Sequence, residues 1–168
     1  MKAILETKRL RLREFSLADV QIIFDLNEDP EVIRYVGDPR CENLEAARSV
    51  LTDIILPQYE QYNMGRWAVE LIETGEVVGW CGIKYLPESK EYDLGYRFFR
   101  KYWGKGYATE SAMAVLEYGH RKLGLEKIVG KADARNTGSV NVLQKIGMKF
   151  ERSGEEHCGN ARVYLSVR

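Results

Sequence analysis

Two glycines one residue apart stand in the turn Lys101-Tyr102-Trp103-Gly104-Lys105-Gly106-Tyr107, which runs straight into a helical pattern. Residues 101–111 contain no proline, so every residue of the turn keeps its backbone N–H. A glycine-bearing turn feeding a helix start gathers free N–H groups and the positive end of a helix dipole in one place. The chemistry this suits is capture of an anion, most simply a phosphate or pyrophosphate. Gly104 and Gly106 let the backbone approach such oxygens with no Cβ in the way. Lys101, Lys105 and Arg100 add charge, while Trp103 and Tyr107 are expected to pack and hold the loop's shape. Residues able to move a proton lie elsewhere: Asp93 before the turn, Ser139 after it, Glu155 and His157 near the C-terminus.

A strand must lead into the turn, because Tyr92, Leu94, Tyr96 and Phe98 alternate with Asp93, Gly95 and Arg97. A helix over 108–122 must follow it, with Gly124 placed for its C-terminus. The next strand, 127–132, makes a β-α-β crossover, so the two strands should be parallel neighbours. Upstream, 66–72 and 77–85 read as a hairpin turned at 73–76. Residues 7–15 alternate Leu10 and Leu12 with Arg9, Arg11 and Arg13, a half-exposed strand with its arginines in water. Ser16 and Asp19 form a capping box for the first helix. Pro30 can begin a short helix, and Asn43 caps a longer one through 62 that Pro57 kinks or splits. After a helix over 139–146, residues 150–157 and 161–167 form a last hairpin around Cys158-Gly159-Asn160. The expectation is one mixed α/β domain over 1–168, a mostly antiparallel sheet of about seven strands with one central parallel pair and flanking helices.

Composition narrows the partners. Lys+Arg and Asp+Glu are both 25 in 168 residues, so no overall field draws the chain to nucleic acid or an anionic membrane. An anionic ligand has to be caught locally, which places more weight on the glycine turn. Cys41, Cys81 and Cys158 are far apart, as are His120 and His157, so neither a disulfide framework nor a metal site is expected. No apolar run approaches a membrane span and the N-terminus lacks a signal-peptide core, so a cytoplasmic location is expected.

Two familiar phosphate loops do not fit. The dinucleotide fingerprint wants Gly or Ala where Thr109 stands, and an acidic residue near the end of the following strand, whereas Glu126 precedes it. The nucleoside-triphosphate loop wants Gly-Lys-Ser/Thr, but Gly106 is followed by Tyr107. Residues 101–106 instead resemble the acetyl-coenzyme A loop of the GNAT superfamily of N-acetyltransferases, Gln/Arg-x-x-Gly-x-Gly/Ala, with Lys101 in place of Gln or Arg. Asp93-Leu94-Gly95-Tyr96, the run Trp-Gly-Lys-Gly-Tyr-Ala-Thr-Glu, Asn136-Thr137-Gly138-Ser139 and Lys145-Ile146-Gly147-Met148 are similar to the RimJ/RimL-type branch. Arg9-Leu10-Arg11-Leu12-Arg13 and Asp29-Pro30-Glu31-Val32 are similar to it too. That branch acetylates ribosomal-protein N-termini, though many relatives take other amines.

The resemblance implies pyrophosphate on the N–H groups of residues 102–107, and pantetheine bonded by backbone at Tyr96, Arg97 and Phe98, where the strand splays from its neighbour. An unbroken parallel pair is the other reading of those residues. Asn136 and Ser139 read by themselves as turn and N-cap residues; the resemblance adds coenzyme contact for Asn136 and a place near the thioester sulfur for Ser139. The tyrosine many superfamily members use as proton donor is replaced by Leu143, leaving Ser139 or water for that role. A base for the amine is sought in Asp93 and Glu155, with His157 behind them; each carboxylate also reads as ordinary surface charge. An α-amine costs about 3.5 kcal/mol less than a lysine to deprotonate at neutral pH. The expected reaction is direct attack of a primary amine on acetyl-CoA, without a metal, with N–H donors near Phe98 facing the oxyanion. The acceptor is a protein N-terminus or else a polyamine, amino acid or antibiotic, with Tyr35, Trp67 and Trp80 as candidate walls. A non-catalytic acyl-CoA sensor is the reading from another class, and a homodimer is a family-level expectation.

Overall fold

The computed structural model describes residues 3–156 and 159–168, without the side chains of 155–159. Its strands are β1 (Ala3–Glu6), β2 (Leu10–Glu14), β3 (Arg66–Leu71), β4 (Val77–Leu86), β5 (Glu91–Phe98), β6 (Lys127–Asp133), β7 (Lys149–Glu156) and β8 (Gly159–Val167). They form one sheet in the order β1-β2-β3-β4-β5-β6-β8-β7, antiparallel throughout except for β5 and β6. The parallel pair is where the crossover places it, and β1 adds an eighth strand to the seven expected.

The helices are α1 (Val20–Glu28), α2 (Pro30–Ile33), α3 (Leu44–Ser49), α4 (Leu56–Tyr62), α5 (Tyr107–Arg121) and α6 (Thr137–Lys145). Ser16 and Asp19 make the reciprocal capping box ahead of α1. Asn43 caps α3, accepting from the Ala46 N–H at 2.9 Å. Between α3 and α4 the helix widens to π geometry over Val50–Ile55, so Pro57 falls in the first turn of α4, where its missing N–H is harmless.

Side chains divide the sheet into two buried layers. One holds Leu94, Phe98, Cys81, Ile83 and Ile128 against α5 and α6. The other holds Ala68 and Trp80 against α1 and α3. Antiparallel partners share a face, so the pairings Arg66–Gly82–Gly95, Ala68–Trp80–Arg97 and Lys84–Asp93 put all these residues on the α1 side. Trp67, Cys81 and Tyr96 fall on the α5 side. The expected solvated arginines are also revised. Arg13 is buried, bonded to Asp19 through both Nη atoms at 2.8 and 2.9 Å and to Glu70 through Nε at 2.5 Å.

Candidate active site

The turn before α5 takes the shape its glycines allow. Gly104 and Gly106 have φ of 76° and 80°, in the left-handed region where a side chain is strained. A 3-10 turn, Arg100–Tyr102, precedes them. It is closed by Tyr102 N–H to the Phe99 carbonyl at 2.9 Å and Trp103 N–H to the Arg100 carbonyl at 3.1 Å. From 104 to 109 no backbone N–H has a protein acceptor among the described residues; the first is Glu110 N–H, to the Gly106 carbonyl at 3.0 Å. The donors expected over 102–107 therefore lie at 104–109, because the amides of Tyr102 and Trp103 are already engaged. Six N–H groups at and just before the start of a 15-residue helix are thus available to an anion. Lys101 points elsewhere, its Nζ 2.8 Å from Glu76, and the Lys105 ammonium lies 5.1 Å from the Tyr102 ring centroid. The Trp103 indole N–H donates to the Phe98 carbonyl at 2.8 Å, fastening the turn to β5.

A residue assigned to solvent in the sequence holds this turn from outside. Arg9 Nε donates to Glu110 Oε2 at 2.7 Å, its Nη1 to the Lys105 carbonyl at 3.1 Å, and its guanidinium lies 4.5 Å from the Tyr107 ring centroid. Thr7 Oγ1 and the Arg9 N–H donate to Glu110 Oε1. Burial raises the Glu110 carboxyl, and hydrogen bonds from Thr7 and Arg9 outweigh it, leaving a net fall. The only sequence signal was Glu110's place in the Gly-Tyr-Ala-Thr-Glu run.

Beside the turn, β5 and β6 part. Their ladder is bridged at Asp93–Val129 alone. Phe99 N–H bonds the Val78 carbonyl at 3.1 Å, so the alternation of an antiparallel ladder turns the backbone groups of Tyr96 and Phe98 away from β4 and into the gap. The gap leads to α6. Asn136 caps that helix, its Oδ1 accepting the Ser139 N–H at 3.1 Å, so the helix begins at Thr137 rather than at Ser139. The Tyr96 hydroxyl donates to the Ser139 carbonyl at 2.8 Å and lies 3.0 Å from Ser139 Oγ. Burial pushes the Tyr96 phenol up, so it stays protonated. Sequence reasoning treated Tyr96 only as backbone; nothing in one sequence links its hydroxyl to a serine 43 positions on. Leu143 is core, packed against Gly130.

Two cavities meet there. One, about 560 Å³, is lined by Phe98, Gly104, Gly106, Ala108 and Thr109. The other, about 640 Å³, is lined by Arg66, Trp80, Lys84, Glu91 and Asp93. Tyr35, Tyr96, Arg97, Asn136 and Ser139 border both. Of the expected acceptor walls, Tyr35 and Trp80 belong, whereas Trp67 is core on the other face, edge-on to Tyr118. Asp93 is buried in the second cavity with Lys84 Nζ at 3.4 Å, and its Oδ1 has no hydrogen-bond partner. Burial raises its carboxyl above the ordinary range, against the pull of Lys84 and Lys131. It sits three residues before Tyr96, about 10 Å along the strand, so a proton passing between them needs water. Glu155 lies on β7 opposite Asn160, but its side chain and His157 are outside the described residues. Cys81 is buried and its thiol pushed up to about 12, which leaves no thiolate nucleophile there at neutral pH. Among the described residues no group of acids, histidines and cysteines could hold a metal, and no helix is long and apolar enough to cross a membrane.

The family model described as acetyltransferase (GNAT) domain matches residues 9–149. The uncharacterized N-acetyltransferase YoaA of Bacillus subtilis is 32% identical over 152 residues, covering 90% of this chain and 85% of that protein. Two solved structures share the fold at lower identity. RimL, a ribosomal L7/L12 alpha-N-protein acetyltransferase in complex with coenzyme A, superposes with a TM-score of 0.84 at 15% identity, over 99% of this chain and 98% of its own. Spermidine N-acetyltransferase from Vibrio cholerae, in complex with CoA and spermine, gives 0.80 at 18% identity, over 96% of each chain.

Proposed function

Because the chain belongs to the acetyltransferase (GNAT) family and is an acetyl-CoA-dependent N-acetyltransferase, we propose that its acceptor is an α-amine, in the manner of RimJ/RimL-type enzymes acting on protein N-termini. The observation that carries the reading is the shared border of the two cavities. A donor in the first and an amine in the second meet at Tyr96, Arg97, Asn136 and Ser139.

The residues present suit the coenzyme. The free N–H groups of 104–109 would take pyrophosphate, and the gap-facing backbone of Tyr96 would pair with a pantetheine amide as a strand does, leaving the Phe98 N–H for the acetyl end. Bound there, acetyl-CoA supplies an activated acetyl group for attack by a neutral amine. The Phe98 N–H faces the gap and can donate to a carbonyl oxygen as negative charge grows on it. Ser139 Oγ is the proton donor for the departing sulfur, oriented by the Tyr96 hydroxyl. Asp93, with its raised carboxyl and unpartnered oxygen, receives the amine's proton through water.

A polyamine acceptor would be served by acids left unneutralised. In the second cavity Asp93 pairs with Lys84, Asp38 with Arg97, and Glu91 with Lys131 and Arg152, so the deep acids are already matched by cations. An α-amine, about half deprotonated near pH 7.7–8.0, asks less of such a cavity. The test is thiol release from acetyl-CoA with N-terminal peptides, polyamines and aminoglycosides as acceptors. Turnover with peptides is expected; turnover confined to polyamines or aminoglycosides would remove the α-amine assignment. Acetyl-CoA binding with no thiol release to any acceptor would return the sensor reading, and light scattering reports whether the enzyme is a homodimer.

A further inference from the structure

The second cavity contains a cation that no carboxylate among the described residues contacts. Arg66 lies on its wall at the start of β3, and no carboxylate oxygen comes within 4.0 Å of its guanidinium among the described residues. Its neighbour is the Trp80 ring, whose centroid is 5.4 Å from the guanidinium carbon. Arg97 lies 5.7 Å from the same ring, so two guanidinium groups crowd one indole. Charges facing Arg66 come from several elements: Arg97 and Asp93 on β5, Asp38 after α2, and the Tyr59 hydroxyl on α4. Asp38 is held by Arg97 at 2.7 Å and Asp93 by Lys84 at 3.4 Å. Arg97 in turn donates from Nη1 to Asn27 Oδ1, while its Nε is buried without a partner.

Burial and the neighbouring Arg97 both act against the charge on Arg66, yet a guanidinium does not give up its proton. Such a cation, half-buried on the cavity wall, is open to an anion that enters the cavity. Space for one is present. It is the cavity of about 640 Å³ that Arg66, Trp80 and Gly95 line together; Gly95 adjoins the Arg66 row two strands away with Trp80 against its Cα, while at Gly82 the Gly65 carbonyl closes the surface.

We infer that the acceptor bears a carboxylate near its amine, and that this carboxylate docks on Arg66 beside Trp80. The inference rests on the second cavity being the acceptor's, and it deepens the α-amine assignment: the carboxylate is that of a free α-amino acid or of an acidic side chain near a peptide's N-terminus. The planar fork of Arg66 suits a two-oxygen contact, while a polyamine would bring a further cation against Arg66 and Arg97.

Four acceptors separate the sources: alanine against alaninamide, and the peptide amide Ser-Asp-Ala against Ser-Asn-Ala. Each is assayed with wild type, Arg66→Gln and Arg66→Lys; comparing variants cancels differences in amine basicity. The charged member of one pair should lose at least tenfold in kcat/KM, through KM, in Arg66→Gln. Its neutral counterpart should change less than twofold, and Arg66→Lys should restore part of the preference. A response in the alanine pair identifies a free α-carboxylate; one in the peptide pair identifies an acidic side chain. Equal effects on both members, or acetylation of none of the four by a wild type that binds acetyl-CoA, would overturn the inference. Failure of wild type to bind acetyl-CoA by calorimetry would overturn the acetyltransferase reading itself. Unchanged acetyl-CoA binding by Arg66→Gln separates a misfolded variant from a retargeted one.

Discussion

Arg9 Nε and Glu110 Oε2 lie 2.7 Å apart, joining the turn between β1 and β2 to the first turn of α5 across 101 positions of sequence. Arg9 also holds the Lys105 carbonyl, so the pair sets the path of the chain through the two glycines. The arginine side chain is 43% exposed, so as an ion pair it is worth only about 0.2–1 kcal/mol of stability. Its larger effect is on loop geometry. Arg9→Ala should weaken acetyl-CoA binding about tenfold by calorimetry while shifting the melting temperature by only a few degrees.

The glycine geometry makes a sharper demand. Gly106→Ala must hold φ near 80° with a Cβ present, a strain of about 1–2 kcal/mol. Acetyl-CoA affinity should fall by roughly that free energy. Gly106→Glu, which also places a carboxylate among the N–H donors, should abolish binding with the far-ultraviolet circular dichroism unchanged. Unaltered affinity in the glutamate variant would remove the loop as the pyrophosphate site.

If Ser139 protonates the departing thiolate with Tyr96 as its orienting partner, Ser139→Ala should lower kcat about 10²-fold or more, within the usual range for a positioned acid. Tyr96→Phe should lower kcat less, leave KM for acetyl-CoA nearly unchanged, and add little in the Ser139→Ala background. Pre-steady-state thiol release read against pH checks this. A kcat in Ser139→Ala equal to wild type would assign the proton to water.

A separate expectation concerns stability in acid. Burial by itself raises the Asp19 carboxyl, but the Arg13 guanidinium and the Ser16 amide and hydroxyl hold it below its ordinary value. Its contribution is therefore complete above the unfolded carboxyl value of about 3.9 and is lost as pH falls through the lower folded value. Asp19→Asn leaves Arg13 buried with Glu70 alone, and should cost about 3–5 kcal/mol near pH 7. The same variant should flatten the loss of urea stability below about pH 4.

These residues also mark what a single sequence reveals. Alternation at 92–98 and the helical period after Ala108 located β5 and α5, because local backbone preference and burial agree there. That 104 and 106 need glycine was legible as well, because oxygens can approach closely only a backbone without a Cβ; the positive φ both adopt is a finding of the fold. Arg9 and Arg13 were not legible. An alternating arginine on a half-buried strand looks solvated until partners such as Glu110 or Glu70 arrive from distant elements. β1 is four residues long and offers almost no period to read. The hydroxyl of Tyr96 and the unanswered charge of Arg66 became visible only through what the fold brings near them, or fails to.

The gap beyond the Asp93–Val129 bridge offers peptide N–H and C=O groups, which every residue other than proline carries alike. Grip on the donor would thereby be insulated from side-chain drift along β5, whereas the second cavity is lined by Arg66, Trp80 and Lys84, each replaceable one at a time. Such a division would let one scaffold keep its acetyl source while its choice of amine is rewritten, and a library confined to those three positions would explore new acceptors with the donor half and Asp93 intact.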